Sequence, residues 1–175
     1  MNPTIETLVT RTSCRAYTTQ MPSHEDLETI CRAGMYAPTG KNTQCPVILA
    51  VTDKEMRDRM SRLNAQVMGT ESDPFYGAPV VLVVLADREK GLTPVEDGSL
   101  VLGNMLNAAH ALGLGACWIN RAREVFAMDE GKAILKELGL EGDYIGVGNC
   151  IVGYRATPAA PPRPRKEGWV YWVES

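Results

Sequence analysis

PVVLVVLA, residues 79–86, is the most informative stretch of this chain. An unbroken run of aliphatic and β-branched residues, without polar alternation, predicts a strand that is buried on both faces. Similar composition predicts a strand over Pro46–Thr52, and shorter runs predict strands over Ala116–Ile119 and Tyr144–Tyr154. The sequence therefore predicts a central β-sheet.

Helices are predicted between these strands from capping residues and apolar periodicity. Pro in a first turn, Ser or Asp at an N-cap and Gly after a last turn mark helices over residues 3–10, 23–36, 53–67, 93–112 and 129–138. This order of helices and strands indicates an α+β fold with helices packed on the sheet. No repeat and no internal linker divides the chain, so residues 1–175 are predicted to form one domain.

Two features predict a homodimer. The helix over residues 93–112 is apolar nearly all round, which in a small protein suggests burial at a subunit interface. Residues 157–166 are Pro-rich and must stay extended, at about 3 Å per residue. We therefore predict that residues 154–175 form an arm that carries a last strand, Trp169–Val173, into the sheet of a partner subunit.

The overall composition argues against several classes of function. The chain of 175 residues has a net charge of −3, which gives no electrostatic basis for binding nucleic acid. It contains no run of about 18 apolar residues and no signal peptide, so we expect a cytoplasmic protein without a membrane span. The five cysteines show no C-x-x-C spacing, so neither a disulfide framework nor a metal site is expected.

Side-chain catalysis has little support in the sequence. GMYAPTGK, residues 34–41, resembles a phosphate-binding loop but has one residue too many and follows a helix. GLG, residues 113–115, lies between a helix and a strand, which reverses the order of a dinucleotide-binding fingerprint. His24 and His110 are the only histidines, and a G-x-S-x-G motif is absent. An enzyme with these residues would take its chemistry from a cofactor, so no catalytic side chain is predicted.

Three polar segments could bind a phosphate-bearing cofactor. RTSCR contains Arg11, Ser13 and Arg15, and guanidinium groups bind phosphate oxygens through paired hydrogen bonds. A second basic cluster lies at residues 163–166, and a polar loop, APTGKNTQ, occupies residues 37–44. Each segment taken alone is better explained as a solvent-exposed turn, tail or loop, so the interpretation depends on their combination.

That combination resembles the FMN-dependent nitroreductase family. R-x-S-x-R near the N-terminus, the A-P-T-G-K-N-T-Q loop, the helix over 97–112 that leads into GLGACWIN, and P-R-P-R-K before the terminal strand resemble four motifs of that family, in the family's order. They extend from Arg11 into the C-terminal arm. The resemblance implies a mixed or antiparallel sheet flanked by helices, and an obligate homodimer with exchanged arms.

The resemblance also implies where FMN binds. Its phosphate and ribityl chain are expected on Arg11, Ser13, Arg15, Arg163 and Arg165. The second protomer is expected to contribute Pro38, Thr39, Gly40, Asn42 and Gln44. One flavin face is expected to lie against Trp118, Ile119 and Asn120. A backbone N–H near Asn120 or Arg121 is expected to point at the flavin N5 atom, where it favours the reduced flavin.

The implied reaction is a ping-pong transfer of electrons from NAD(P)H through FMN to a small-molecule acceptor, such as a nitroaromatic compound or a quinone. Because the chain is short, only the loop over residues 68–76 can act as a partial lid. Met68, Phe75 and Tyr76 are therefore the predicted substrate contacts. Two alternatives stay open: another reductive chemistry on the same fold, such as dehalogenation or ene reduction, and a flavin-binding dimer without catalysis.

Overall fold

A computed structural model describes residues 1–174 of the chain. In this part of the chain, helices and strands follow one another in the order α1 (Pro3–Thr10), α2 (His24–Met35), β1 (Pro46–Val51), α3 (Lys54–Met68), β2 (Val80–Asp87), α4 (Pro94–Ala111), β3 (Gly115–Ile119), α5 (Ala122–Ala127), α6 (Asp129–Glu137) and β4 (Tyr144–Gly153). A short 3₁₀ turn, Gly40–Asn42, precedes β1.

The four strands form one antiparallel sheet in the order β1-β2-β4-β3. Every residue of β2 is buried, because alternate side chains of this central strand supply two separate cores. Val81 and Val83 face the core formed with α3, α5 and α6, whereas Val80 and Leu82 face the core formed with α2 and α4. The predicted α+β fold, with a sheet between helices, is confirmed.

Among residues 1–174, one edge of the sheet is left uncovered. On the β3 edge, Ser13 pairs with Ala116, and Cys14 N donates to Ala116 O at 2.9 Å. The outer edge of β1 pairs with no segment of residues 1–174. The predicted last strand, Trp169–Val173, forms no strand within its own chain, and its side chains are exposed. Its addition to a partner's sheet stays a prediction.

Two helices differ from what the sequence suggests. Helix α5 escapes sequence prediction because it has six residues and its N-cap, Arg121, has a left-handed backbone (φ 77°) without a side-chain cap. Within one chain α4 is buried on one face only, since Met105 is fully buried and Leu100 is 49% exposed. The outer face of α4 is thus available for the predicted subunit interface.

Membrane spans and metal clusters are absent from the part of the chain that the structure describes. No helix among residues 1–174 is long and apolar enough to cross a membrane. Over the same residues, no group of three His, Cys, Asp or Glu side chains could hold a metal ion. The cysteines are all free thiols.

Candidate functional site

The basic segment that follows α1 is anchored along the edge of the sheet. Cys14 is buried, and its N–H donates to Ala116 O, so the segment runs beside β3. Side chains alternate between the two faces of an extended chain. We therefore expect Arg11, Ser13 and Arg15 on the face opposite Cys14. Ser13 and Arg15 are exposed, and Arg11 is half-buried. Two guanidinium groups and a hydroxyl can meet one anion there.

Arg155, which follows β4, binds this segment through its side chain and its backbone. Its Nη2 donates to Thr12 O at 2.7 Å, and its backbone pairs with Tyr17. The Tyr17 hydroxyl donates to Cys14 O at 2.8 Å, and burial raises the pKa of this phenol far above its ordinary value, so it stays a neutral donor. Sequence reasoning missed Arg155, whose only signal is its position directly after the last strand of the sheet.

His110 lies at the C-terminal end of α4, beside the same segment. Its Nε2 is 2.9 Å from Thr10 Oγ1. Burial lowers the pKa of His110, and the positive charges of Arg155 and Arg11 lower it further. The surface around Arg11 is therefore electropositive and suited to an anion.

A cavity of about 290 Å³, here called the front cavity, lies between Arg15, the end of β3 and the loop after α3. It is lined by six of the predicted site residues: Arg15, Met68, Tyr76, Trp118, Ile119 and Asn120. Trp118 is the one exposed residue of β3, at 47%. The Arg15 guanidinium lies 6.0 Å from the centre of the Tyr76 ring. A large apolar surface beside a cation is typical of a ligand pocket.

A turn with unusual backbone geometry closes one end of the front cavity. Arg121 has φ 77°, a conformation that costs a non-glycine residue about 1 kcal/mol or more. Asn120 O accepts hydrogen bonds from Asn64 Nδ2 at 2.9 Å and from Asn149 Nδ2 at 3.3 Å. The side chain of Arg121 folds back onto α3, where its Nη2 lies 2.8 Å from Met68 Sδ. The turn is thus fixed by α3 and β4 together.

Two buried polar atoms at this turn, Asn64 Oδ1 and Arg121 Nε, have no hydrogen-bond partner among residues 1–174. Buried polar groups in proteins are nearly always paired. One acceptor and one donor left over at the same turn indicate that a ligand or an ordered water completes the hydrogen bonding here.

The loop over residues 68–78 is held rigidly by one carboxylate. Asp73 accepts hydrogen bonds from Ser61 Oγ and Arg57 Nη2, each at 2.5 Å, and from the backbone N–H groups of Phe75 and Gly77. Burial works to raise the pKa of Asp73, but these hydrogen bonds outweigh it and hold the pKa below its usual value. A loop held this way is a fixed wall of the cavity.

Phe75 belongs to the core and not to the cavity. It is 1% exposed, and the Arg57 guanidinium covers its ring at 5.6 Å from the centre. The prediction that Phe75 contacts substrate is therefore wrong, because sequence does not show which way a loop side chain points. Tyr76 and Met68 are exposed and do line the front cavity, so their predicted role as substrate contacts stays a prediction.

The polar loop over residues 37–44 lies at a second cavity, of about 510 Å³, here called the rear cavity, which Thr39 and Gln44 line. Asp97 at the start of α4 is buried and fixes this loop, since it accepts from Gly40 N at 3.0 Å and from Thr93 Oγ1 at 3.0 Å. The loop also contains three non-glycine residues with positive φ: Lys41, Asn42 and Gln44.

Nine of the thirteen predicted cofactor contacts do not line the front cavity of their own chain: Arg11, Ser13, Pro38, Thr39, Gly40, Asn42, Gln44, Arg163 and Arg165. Arg11 and Ser13 belong to the basic segment that also contains Arg15. The five loop residues lie at or near the rear cavity, and Arg163 and Arg165 lie exposed in the arm. Their contact with a ligand in the front cavity of a partner chain stays a prediction.

Comparison with known proteins gives one consistent family. The family model described as "Nitroreductase family" matches residues 8–154. A protein of Archaeoglobus fulgidus with the provisional name NADH dehydrogenase/NAD(P)H nitroreductase is 30% identical, over 95% of this chain and 90% of its own. An NADPH-flavin oxidoreductase of Vibrio harveyi is 30% identical, over 93% of this chain and 70% of its own.

A solved structure agrees with these relatives. The nitroreductase with bound FMN from Bacteroides fragilis superposes with a TM-score of 0.88 at 28% identity, and the match covers 99% of this chain and 100% of that chain. The family model covers the basic segment, the polar loop, the front cavity and all four strands. The chain belongs to the nitroreductase family.

Proposed function

We propose that this protein binds FMN and transfers electrons from NAD(P)H to small-molecule acceptors, with nitroaromatic compounds and quinones as the first candidates. The observation that carries the proposal is the front cavity of a member of the nitroreductase family, where Arg15, the exposed Trp118 and the Asn120–Arg121 turn line one space. The related B. fragilis structure contains FMN, and the V. harveyi relative is an NADPH-flavin oxidoreductase.

The front cavity and the basic segment that ends at it fit FMN in charge and in shape. A phosphate group needs cations and hydroxyl donors, which Arg11, Ser13 and Arg15 present on one face. A flat aromatic ring needs an apolar wall, which Trp118 supplies. Ring nitrogens and carbonyl groups need polar partners, which the Asn120–Arg121 turn offers.

FMN supplies the redox chemistry when bound, since a flavin can take a hydride from NAD(P)H and return two electrons to an acceptor. Met68 and Tyr76 are exposed, line the front cavity and would contact the nicotinamide and the acceptor in turn, which gives ping-pong kinetics. Asp73 also lines this cavity, but its carboxylate is committed to four donors and stays charged. The chain therefore binds and orients, and protons reach the acceptor from water.

The active protein in this proposal is a homodimer with exchanged arms. The aromatic residues at the end of the arm, Trp169, Tyr171 and Trp172, are 67–85% exposed, which is unusual for a monomer surface. The free edge of β1 adjoins the rear cavity, whose walls include Met35, Val47 and Ile48. A partner's arm can add to β1 as a strand and place its aromatic side chains on these walls. Arg163 and Arg165, which lie in the arm, would then lie next to the partner subunit.

The cofactor site is tested by comparing FMN with riboflavin, which lacks the phosphate. Protein stripped of flavin is titrated with each compound while flavin fluorescence is recorded. We expect FMN to bind at least about tenfold more tightly, since one hydrogen bond to a charged group contributes about 1.5–3 kcal/mol. Arg15→Ala should remove most of this difference.

Arg62→Ala is the matched control, because Arg62 is an exposed arginine on α3 that lines neither the front nor the rear cavity. It removes the same charge and should keep the preference for FMN. Equal affinities for FMN and riboflavin in the unmodified protein would contradict a phosphate site at the basic segment.

A further inference from the structure

The peptide that joins Asn120 to Arg121 is held from inside the protein. Its carbonyl oxygen accepts hydrogen bonds from two amides, Asn64 Nδ2 at 2.9 Å and Asn149 Nδ2 at 3.3 Å. Asn64 lies on α3 and is 1% exposed, and Asn149 lies on β4 and is 3% exposed. Two elements that are distant in sequence therefore fix the direction of one carbonyl group.

The opposite side of the same peptide faces the front cavity. In a trans peptide the C=O and N–H bonds point in opposite directions, and this peptide is trans. Because Asn120 O points toward the buried amides, the N–H of Arg121 points away from them, and both residues line the front cavity. Among residues 1–174 this N–H has no acceptor. It is a free donor with a fixed direction.

We propose that Asn64 and Asn149 are positioning residues that aim the backbone N–H of Arg121 at an acceptor atom of the flavin ring. The inference rests on the proposed function, since it requires FMN in the front cavity. A reduced flavin ring carries more electron density than an oxidised one, so a fixed donor stabilises the reduced form more. The two amides thus raise the reduction potential of the bound flavin without touching it.

A purely structural role leaves two features of the turn unexplained. A buried Asn normally satisfies both ends of its amide, yet Asn64 Oδ1 has no partner in the described part of the chain. Arg121 is also held at φ 77°, where a non-glycine residue is disfavoured and where strain commonly marks a working site. Asn149 in addition donates to Ile119 O at 3.2 Å, so the amides hold the last carbonyls along the cavity wall.

The test measures the midpoint potential of bound FMN and the affinity for oxidised FMN in Asn64→Ala, Asn149→Ala and the double variant. When both Asn64 and Asn149 are replaced, the peptide between Asn120 and Arg121 can rotate, and the N–H of Arg121 no longer has a fixed direction. The double variant should lose about tenfold more affinity for reduced than for oxidised flavin. For a two-electron couple this equals a potential about 30 mV more negative.

Either amide alone still holds the carbonyl, so the shift in the double variant should exceed the sum of the shifts in the single variants. General damage to the fold weakens both redox forms alike and leaves the potential unchanged. Asn104→Ala is the control, because Asn104 Nδ2 donates to a backbone carbonyl, Ala33 O, at 3.0 Å but lines neither the front nor the rear cavity. It should leave the potential unchanged.

A second measurement follows the Arg121 amide by ¹H–¹⁵N NMR, which serves even where the double variant does not fold. Addition of FMN to the unmodified protein should shift the Arg121 amide proton downfield, and each single variant should show a smaller shift. An unshifted amide, or an unchanged potential in a folded double variant that binds FMN, overturns the inference and leaves the proposed function intact. Failure of the unmodified protein to bind FMN overturns both.

Discussion

Removal of the Asp73 carboxylate should loosen the wall of the front cavity. Asp73 accepts hydrogen bonds from Ser61 Oγ and Arg57 Nη2, each at 2.5 Å, and from the N–H groups of Phe75 at 2.9 Å and Gly77 at 2.7 Å. Asp73→Ala breaks all four. A hydrogen bond to a charged group contributes about 1.5–3 kcal/mol, but the side chain is 34% exposed and water replaces part of the loss. We therefore expect the free energy of unfolding to fall by about 2–4 kcal/mol.

Asp58 offers a matched control. Its carboxylate also pairs with Arg57, at 3.1 Å, and it is 33% exposed, but its other partner is the exposed Lys54. Ion pairs at such positions contribute about 0–1 kcal/mol, so Asp58→Ala should cost less than about 1 kcal/mol. Both variants remove one negative charge beside Arg57. Only Asp73→Ala also removes the acceptor for the Ser61 hydroxyl and for the backbone N–H groups of Phe75 and Gly77.

Both variants are unfolded in urea with circular dichroism as the signal, and their affinity for FMN is measured in parallel. Asp73→Ala should also bind FMN more weakly and be cut by protease within residues 68–78, whereas Asp58→Ala should not. Equal losses of stability in the two variants would show that the loop hydrogen bonds contribute nothing beyond neutralising Arg57, and that the loop is not held as described.

Three further predictions concern pH, assembly and the polar loop. His110 has a lowered pKa in the folded chain, so stability should be full above its ordinary value of 6.5 and fall as pH drops below it; an NMR titration that finds its pKa at or above 6.5 without flavin would contradict this. Removal of residues 157–175 should convert a dimer to a monomer in sedimentation experiments, and a dimer of unchanged affinity would argue against exchanged arms. Asp97→Ala leaves the N–H of Gly40 unpaired and should lower the free energy of unfolding by about 1–3 kcal/mol and weaken FMN binding, whereas an unchanged affinity would remove the loop from the site.

The sheet and the basic segment could be predicted because their signals are local. The run at residues 79–86 has no polar alternation, and in the structure its alternate side chains enter two cores. The R-x-S-x-R spacing matches the two-residue period of an extended chain and predicts that Arg11, Ser13 and Arg15 share a face; the burial of Cys14 between the exposed Ser13 and Arg15 agrees with it. In both places the pattern within one segment determines the outcome.

Other parts of the site depend on contacts between distant residues and could not be read from the sequence. Asn64 and Asn149 lie 56 and 29 residues from Asn120, whose carbonyl they hold. Phe75 stands in a polar loop, and only the folded chain shows that it is buried in the core with Arg57 over its ring. No local propensity marks either arrangement, since each depends on contacts between elements that are distant in sequence.

Anaerobic mixing of the FMN-loaded protein with NADPH, and separately with NADH, decides whether this chain is a nicotinamide-dependent flavoenzyme. The visible absorption of the flavin is followed in a stopped-flow spectrometer. We predict that it bleaches within seconds with at least one of the two nucleotides and returns when a quinone or a nitroaromatic compound is added. A flavin that dithionite bleaches, but that neither nucleotide changes, would contradict the proposed function and leave a flavin-binding protein without this activity.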